Sequence, residues 1–344
     1  MDWQSGAAAD VSENLPLKVT FGLIAYNQEK YIREAIEGAF AQRCASMEII
    51  LSDDRSPDGT FAIMEEMAAS YSGPHKVYVR REPTNVGTVQ HLINIARAAR
   101  GELLVVAAGD DISYPDRAGT LFDAWKENGA AALASWHDEI DADGRMLRQG
   151  VSFPPSEVTQ VMFGKEPQAH RVDGLIQTVP GFCAAYPQSF WAELPDPPSR
   201  LLVEDGVASA LINLRGGRIF RVPVSLIAYR IFEESLTVRE GALSFDDILN
   251  RERKIDFRAQ ELVPQAEYTI GQARQEGLNI HPHTLKWLNK GRAHGEVVAD
   301  FWSKGPIARL LLLAKIRSKY DAKFLLPRLL GIRVFTALRA RIKS

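Results

Sequence analysis

The sequence predicts an α/β protein, a mostly parallel sheet with helices on both faces. Short β-rich apolar runs alternate with stretches of helical spacing from Lys18 to Asp138. That alternation is the signature of strand–helix–strand crossovers. Turn residues punctuate nearly every junction. The composition, 46% hydrophobic and 24% charged over 344 residues, suits a soluble globular chain with a substantial core.

Lys18 to Tyr26, "KVTFGLIAY", reads as a buried first strand. Tyr31, Ile32, Ala35, Ile36, Ala39 and Phe40 then fall on one helical face. "MEIILSDD" is a second strand that ends on acids. "TFAIMEEMAASY" is a second helix, stopped by Gly73-Pro74. "KVYVRR" is a third strand, and "VGTVQHLINIARAAR" a third helix with Gly101 expected in its C′ position. "ELLVVAA" is a fourth strand. Asp116 is expected to cap "RAGTLFDAWKEN", which Gly129 ends, and "AAALASWHD" is a fifth strand.

In open parallel sheets, ligands bind beyond the carboxyl ends of the strands. The second strand ends at Asp53-Asp54 and the fourth at Gly109-Asp110-Asp111, in "LLVVAAGDDISYPD". If those strands are parallel, four carboxylates gather at one edge. Adjacent like charges repel, and a divalent cation held by oxygen ligands is the natural remedy. Turn chemistry is the competing reading of "SDDRSPDGT", where Ser, Asp, Pro and Gly serve a strand-to-helix turn. It explains "GDD" less well, because no turn requires two adjacent acids.

Several classes are unsupported. There is no G-x-G-x-x-G at the first helix and no G-x-x-x-x-G-K-[ST] anywhere, so dinucleotide-binding and P-loop chemistry lack their glycine loops. The two cysteines, Cys44 and Cys183, have no metal-type spacing and fit a reducing compartment. The start, "MDWQSGAAADVSENLP", is polar and acidic, so residues 1–16 are expected to be disordered and to carry no signal peptide. No apolar run reaches the ~18 residues of a membrane span.

The ordered pieces resemble a family 2 glycosyltransferase. They are "VTFGLIAYNQEKYIREAIEGAFAQ", "MEIILSDDRSPDGT", "NVGTVQHLINIARAARGELLVVAAGDD", "YPDR", "VEDGVASALINLRG" and "VPVSLIAYRIFEESLT". The match runs from Leu17 to Arg239. The resemblance implies a GT-A fold, a Rossmann-like sheet flanked by helices, over 17–240, with a helical C-terminal extension over 241–344. It implies inverting transfer of a sugar from a nucleotide-diphospho-sugar, UDP-linked by expectation, to an acceptor hydroxyl in bacterial-type surface polysaccharide or glycoconjugate synthesis. Tyr26 would line the nucleobase pocket, and Asp54 would accept a hydrogen bond from the base with Asp53 beside it. Asp110 and Asp111 stand at the family's D-x-D motif, where they would meet the ribose and a Mg²⁺ or Mn²⁺ ion. Asp111 is the expected direct metal ligand. Asp205, in "VEDG", stands where the family has its catalytic base.

The chemistry agrees with these roles. A cation between the donor's phosphates and the acids removes their conflict and stabilises the leaving diphosphate. An acceptor hydroxyl needs a base to take its proton during attack. Val203, Val207, Leu211 and Leu214 form one helical stripe, which puts Glu204 and Asp205 at a helix N-terminus where the dipole favours an anion. The competing reading of Asp205 is a plain N-terminal helix acid. Gly109 or Ala108 stands where many members have a further aspartate, and Phe232 where many have a histidine. Glu233, Glu234 or water would then take the histidine's place, and Asp110 and Asp111 would hold the metal largely alone. "GFCAAYPQSFWAEL" resembles the segment that shapes the acceptor side. Trp136, His137 and Asp138 read as core aromatics and a satisfied histidine ahead of sugar contacts.

Two other functions remain open from sequence. A non-catalytic sugar-nucleotide binder on a degenerate transferase fold is one. A nucleotidyltransferase is the other, disfavoured because "LIAYNQEKYI" is no triphosphate loop.

From Ser244 onward the spacing is helical. The segment 304–344 carries 11 Lys+Arg and a single acid, Asp321, although the whole chain has net charge −2. Basic amphipathic helices of this kind suit an anionic membrane surface, a useful contact if the acceptor is a glycan or lipid-linked. The other reading is packing on the domain or on a sister subunit in a homo-oligomer, and periodicity does not separate the two. Nucleic acid is not an expected partner, since interleaved aromatics and a known module are lacking. The expected location is the cytoplasm, with peripheral contact at the inner face of the cell membrane.

Overall fold

The structure is a computed structural model that describes residues 4–5, 17–152, 178–231, 261–280, 304–312 and scattered positions between 285 and 328. The strands are β1 (Gln4–Ser5), β2 (Val19–Ala25), β3 (Met47–Asp53), β4 (Lys76–Arg81), β5 (Leu103–Ala108), β6 (Ile112–Ser113), β7 (Ala132–Ile140), β8 (Met146–Val151), β9 (Ala184–Pro187) and β10 (Ile219–Arg230). The helices are α1 (Ile32–Phe40), α2 (Thr60–Ser70), α3 (Thr88–Ala98), α4 (Arg117–Asn128), α5 (Gln188–Ala192), α6 (Glu204–Leu214) and α7 (Pro306–Leu311).

Among the described residues the strands form one sheet, in the order β1-β4-β3-β2-β5-β9-β7-β10-β6, with β8 on β7. β4, β3, β2 and β5 are mutually parallel, and β7 and β10 are parallel to each other. The short β9 runs antiparallel between β5 and β7. All seven residues of β3 and six of seven in β2 are buried, because helices cover both faces.

Residue alternation along each strand splits the core in two. Phe21, Leu23, Leu51 and Val105 pack with Ile32, Ile36, Met64 and Leu121 of α1, α2 and α4. Ile50, Leu104 and Val106 pack on the opposite face with Leu92, Ile95, Trp191 and Leu211 of α3, α5 and α6.

β2 is the switch point. The chain leaves it to form β3 and β4 on one side and returns as β5 on the other. The registers Ala25↔Asp53 and Ile24↔Ala108 align the three carboxyl ends. Tyr26, Asp53-Asp54 and Gly109-Asp110-Asp111 therefore share one edge, as the parallel reading requires.

Of four helix-end signals, Gly129 works as expected and three differ. α3 stops at Ala98 with Ala99 extended, so Gly101 is no left-handed cap. A Cβ on Gly101 would lie 2.4 Å from the backbone of Val19 and Thr20, so glycine there permits close approach to β2. Gly129 is a left-handed cap, with φ 58° and its N–H donating to Trp125 O at 2.8 Å. Asp116 occupies the N-cap position of α4 without a side-chain cap bond. Its carboxylate pairs with Arg43 at 2.8 Å, in solvent. α2 ends at Ser70, before Gly73-Pro74, where Tyr71 turns extended.

Residues 261–275 are helical. Residues 6–16, the stretch from 232 to 260 that includes Phe232, Glu233 and Glu234, and most of 313–344 lie outside the described residues. No helix among the described residues is long and apolar enough to cross a membrane.

Candidate active site

Tyr26 follows β2 directly and is 46% exposed at the sheet edge. The next residue, Asn27, and Arg55 after β3 both have left-handed backbone, φ 57° and 65°. Strain of this kind in non-glycine residues collects at functional sites. The two loops are stitched together. Asn27 N donates to Ser56 Oγ (2.9 Å), Gln28 N to Thr60 Oγ1 (2.9 Å), and Glu29 N to Asp58 Oδ2 (3.0 Å). Ser56, Asp58 and Thr60 of "SDDRSPDGT" thus do turn work.

Asp53 and Asp54 divide their labour. Asp53 is fully buried; both its oxygens accept from Ser56 N, and Arg81 Nε donates to it at 2.9 Å. It fixes the turn. Asp54 is buried too, and accepts from Val86 N (2.7 Å) and Gly87 N (2.9 Å). Burial pushes its carboxyl above the usual range, opposed by those two amides. Asp54 ties the Val86–Gly87 backbone to the end of β3, with lone pairs left for a further donor.

Asp110 and Asp111 lie at the end of β5. Asp111 is 3% exposed, and its Oδ1 accepts from Arg230 N at 2.8 Å. Its Oδ2 is buried with no hydrogen-bond partner. Burial raises the pKa of both aspartates, and for Asp111 the neighbouring Asp110 charge raises it further. The amide of Gln28 relieves Asp110 by donating to it. An orphaned buried carboxylate oxygen is costly, and a divalent cation would satisfy it; the donor set fits a hard metal. Among the described residues no third acid, histidine or cysteine joins the pair.

Gly109 explains that thinness. A Cβ there would lie 2.5 Å from Gln28 Oε1 and 2.9 Å from both Ala25 Cβ and Ile32 Cδ1. The space is taken, so an aspartate at 109 does not fit this packing.

Two arginines that sequence reasoning passed over hold this corner. Arg230, quoted above only within "VPVSLIAYRIFEESLT", is 1% exposed. Its Nε donates to Asp110 O (2.9 Å), its guanidinium reaches Asp141 O and Ala142 O, and Glu34 pairs with it at 2.7 Å. It also lies over the Tyr31 ring at 4.7 Å. Arg117 is 0% exposed and donates to Ser113 Oγ (2.8 Å), Val106 O (2.6 Å) and Phe182 O (3.0 Å). Burial lowers its pKa to about 10, and Asp111 acts against that. A lone arginine opening an apolar helix was the available signal.

Phe182 carries the site onward. It lies in the Gly181–Cys183 turn, stacks on Tyr229 at 4.1 Å, and meets His137 edge-on at 5.0 Å. His137 is 2% exposed, and burial drives its pKa down to about 4, so it is a neutral core histidine. Asp138 accepts from Tyr114 Oη (2.7 Å) and Gly150 N (2.8 Å), a structural duty. Trp136 is half-buried. Next to Phe182, Gly181 touches Glu204 at the start of α6, where a Cβ would meet Glu204 Oε1 at 2.0 Å. Asp205 follows, half-buried in the first turn. The charge of Asp111 acts on Arg117, Arg117 bonds to Phe182 O, and Gly181 packs on Glu204, which links this corner to the start of α6.

The model of "Glycosyl transferase family 2" matches residues 20–194, half of the chain. Rv1520 of Mycobacterium tuberculosis, an uncharacterised protein, is 44% identical over 89 residues, 26% of this chain and 25% of that protein. Succinoglycan biosynthesis protein ExoO of Rhizobium meliloti is 32% identical over 130 residues, 38% of this chain and 36% of that protein. The chain thus spans about a quarter to a third of these relatives' lengths. Among solved structures, the mannosyltransferase PcManGT from Pyrobaculum calidifontis, in complex with GDP-Man and Mn²⁺, superposes with TM-score 0.50 over 96% of this chain and 90% of its own, at 17% identity. GalNAc-T7 with UDP, GalNAc and Mn²⁺ gives 0.51 over 81% and 57%, also at 17% identity. The fold is that of the GT-A glycosyltransferases, and this chain belongs to glycosyl transferase family 2.

Proposed function

We propose that this chain transfers a sugar from a nucleotide-diphospho-sugar, UDP-linked as first choice, to an acceptor hydroxyl with inversion, in the assembly of a surface polysaccharide or glycoconjugate. The observation that carries this reading is the unpartnered, buried Oδ2 of Asp111 beside Asp110 at the switch-point edge. Asp110 and Asp111 would hold a Mg²⁺ or Mn²⁺ ion, which supplies Lewis-acid neutralisation of the leaving diphosphate. Tyr26 and Asp54 bind the base. Arg230 fixes both aspartates from their backbone and carboxylate sides. Asp205 takes the acceptor proton as the hydroxyl attacks the anomeric carbon opposite the diphosphate, so one base suffices and no covalent sugar–enzyme adduct is needed. The unit 17–240 carries this chemistry, and 241–344 is an appended extension. A panel of UDP- and GDP-sugars tests the reading. One donor should raise Tm in a Mn²⁺-dependent way and be slowly hydrolysed. Stabilisation without any hydrolysis or transfer would leave a binder.

For the acceptor side, we favour a lipid-linked or glycan acceptor met at an anionic membrane. α7 turns Ile307, Leu310 and Leu311 outward at 76, 59 and 68% exposure, one face at i, i+3, i+4 spacing. Arg309 turns inward to Phe301 O, at 3.1 Å. A soluble surface normally has the reverse arrangement. The chain is expected to co-sediment with phosphatidylglycerol vesicles, less so in high salt. Ile307→Asp with Leu311→Asp should weaken this by about tenfold or more, from the lost burial of two aliphatic side chains. Unchanged sedimentation of the double variant would assign α7 to contact with a sister subunit or the domain.

A further inference from the structure

The acid before the base has no assigned part. Glu204 opens α6 with its carboxyl turned inward onto the Gly181–Cys183 turn, over the position a Cβ of Gly181 would fill. Asp205 is its neighbour on α6. The Tyr186 hydroxyl of β9, buried and without a hydrogen-bond partner, feels both acids, with the Cys183 thiol beyond it. From the other side, Gln265 packs where a Cβ of Gly206 would be, a neutral group. No cation is among the groups that act on Glu204. One helix N-terminus can favour one anion, but two adjacent carboxylates, each partly withdrawn from water, do not both ionise cheaply.

We propose that Glu204 remains protonated in the working protein and is the positioning residue that leaves Asp205 as the single anion of the pair. The proposal rests on Asp205 being the base, as proposed above. Geometry gives the reason. Gly181 leaves room for the Glu204 carboxyl against its turn, and the helix end stabilises one charge, which leaves the packed acid neutral. Burial, then the Asp205 charge, pushes the Glu204 carboxyl up to about 8, in line with this. Environments that separate two neighbouring acids assign their roles.

Glu204→Gln, a neutral mimic, should keep transfer at pH 7 within about threefold of wild type. Wild type should lose activity above about pH 8 as Glu204 ionises, and the variant should lack that alkaline fall. A Glu204→Gln protein as inactive as Asp205→Asn, or one with an unmoved alkaline limb, would overturn the proposal.

A second arm needs no catalysis. Glu204 keeps its proton to about 8 when folded but releases it near 4.5 when unfolded. Its contribution to stability is therefore full below the unfolded value and is lost as pH rises through the folded one. Between pH 5 and 9, the Tm of wild type should fall relative to that of Glu204→Gln. Parallel curves would sink the proposal even if Asp205 is the base, and an active Asp205→Asn with diverging curves would sink only the choice of base. If Glu204→Gln does not fold, Gly181→Ala, which pushes the carboxyl toward water, should move the alkaline fall to lower pH. An unmoved fall would again overturn the idea.

Discussion

Asp205→Asn is expected to fold, bind the nucleotide-sugar, and lose transfer by about 10²- to 10⁴-fold, the usual weight of a positioned general base. The substitution is nearly isosteric and half-exposed at the start of α6, so it leaves both cores untouched. It removes the one feature a base needs, a lone pair able to take a proton at neutral pH. In the proposed reading, donor binding would rest on Tyr26, Asp54 and Asp110-Asp111 across the sheet edge, which this change does not touch. Titration of donor against wild type and variant should give matching affinities, while initial rates of transfer diverge. Normal turnover by Asp205→Asn would take the base assignment away.

Asp111→Asn is expected to abolish metal-dependent nucleotide binding without destabilising the metal-free fold. Asp111 keeps an ionisable carboxyl in a place that disfavours its charge, with Oδ2 unpartnered and Asp110 alongside. Its folded pKa is raised above the unfolded value. Its stabilising contribution is therefore complete below about the ordinary aspartate pKa and is lost as pH climbs, so ionised Asp111 costs the metal-free protein stability at neutral pH. Asparagine still offers an oxygen to Arg230 N and carries no charge. In chelator at pH 7, its Tm should equal or exceed that of wild type. With Mn²⁺ and nucleotide at about a hundred times Kd, wild type should gain about 2.7 kcal/mol, and the variant should gain none. A full gain in Asp111→Asn would remove the metal from this corner.

The parallel sheet was legible because burial leaves a local trace. "VTFGLIA" and "MEIILSD" are mostly apolar runs, without strict alternation, because helices cover both faces of β2 and β3. The C-terminal turn of α4 was legible for the same local reason, since Gly129 supplies a left-handed φ that L side chains avoid. Gly101 was misread because an open cap and a tight backbone crossing both ask for glycine. Only the partner, β2 some eighty residues away, tells them apart. The antiparallel insertion of β9 left no trace either, since four residues are too few for a period to show.

At the site, local sequence is enough to say which acids stand at strand ends, and in what order the family motifs run. Those are properties of neighbours along the chain. What each acid is free to do depends on its three-dimensional surroundings. It spends Asp53 on a turn and Arg81, lends Asp54 to the amides of Val86 and Gly87, and leaves one oxygen of Asp111 unpaired. It also shows that Gln28, Ala25 and Ile32 already fill the place of a third aspartate at Gly109. It sets Glu204 on Gly181, and buries Arg117 and Arg230 under the two aspartates. The physical reason is that charge, solvation and free volume at a carboxylate come from atoms distant in sequence, and the fold alone brings those atoms together.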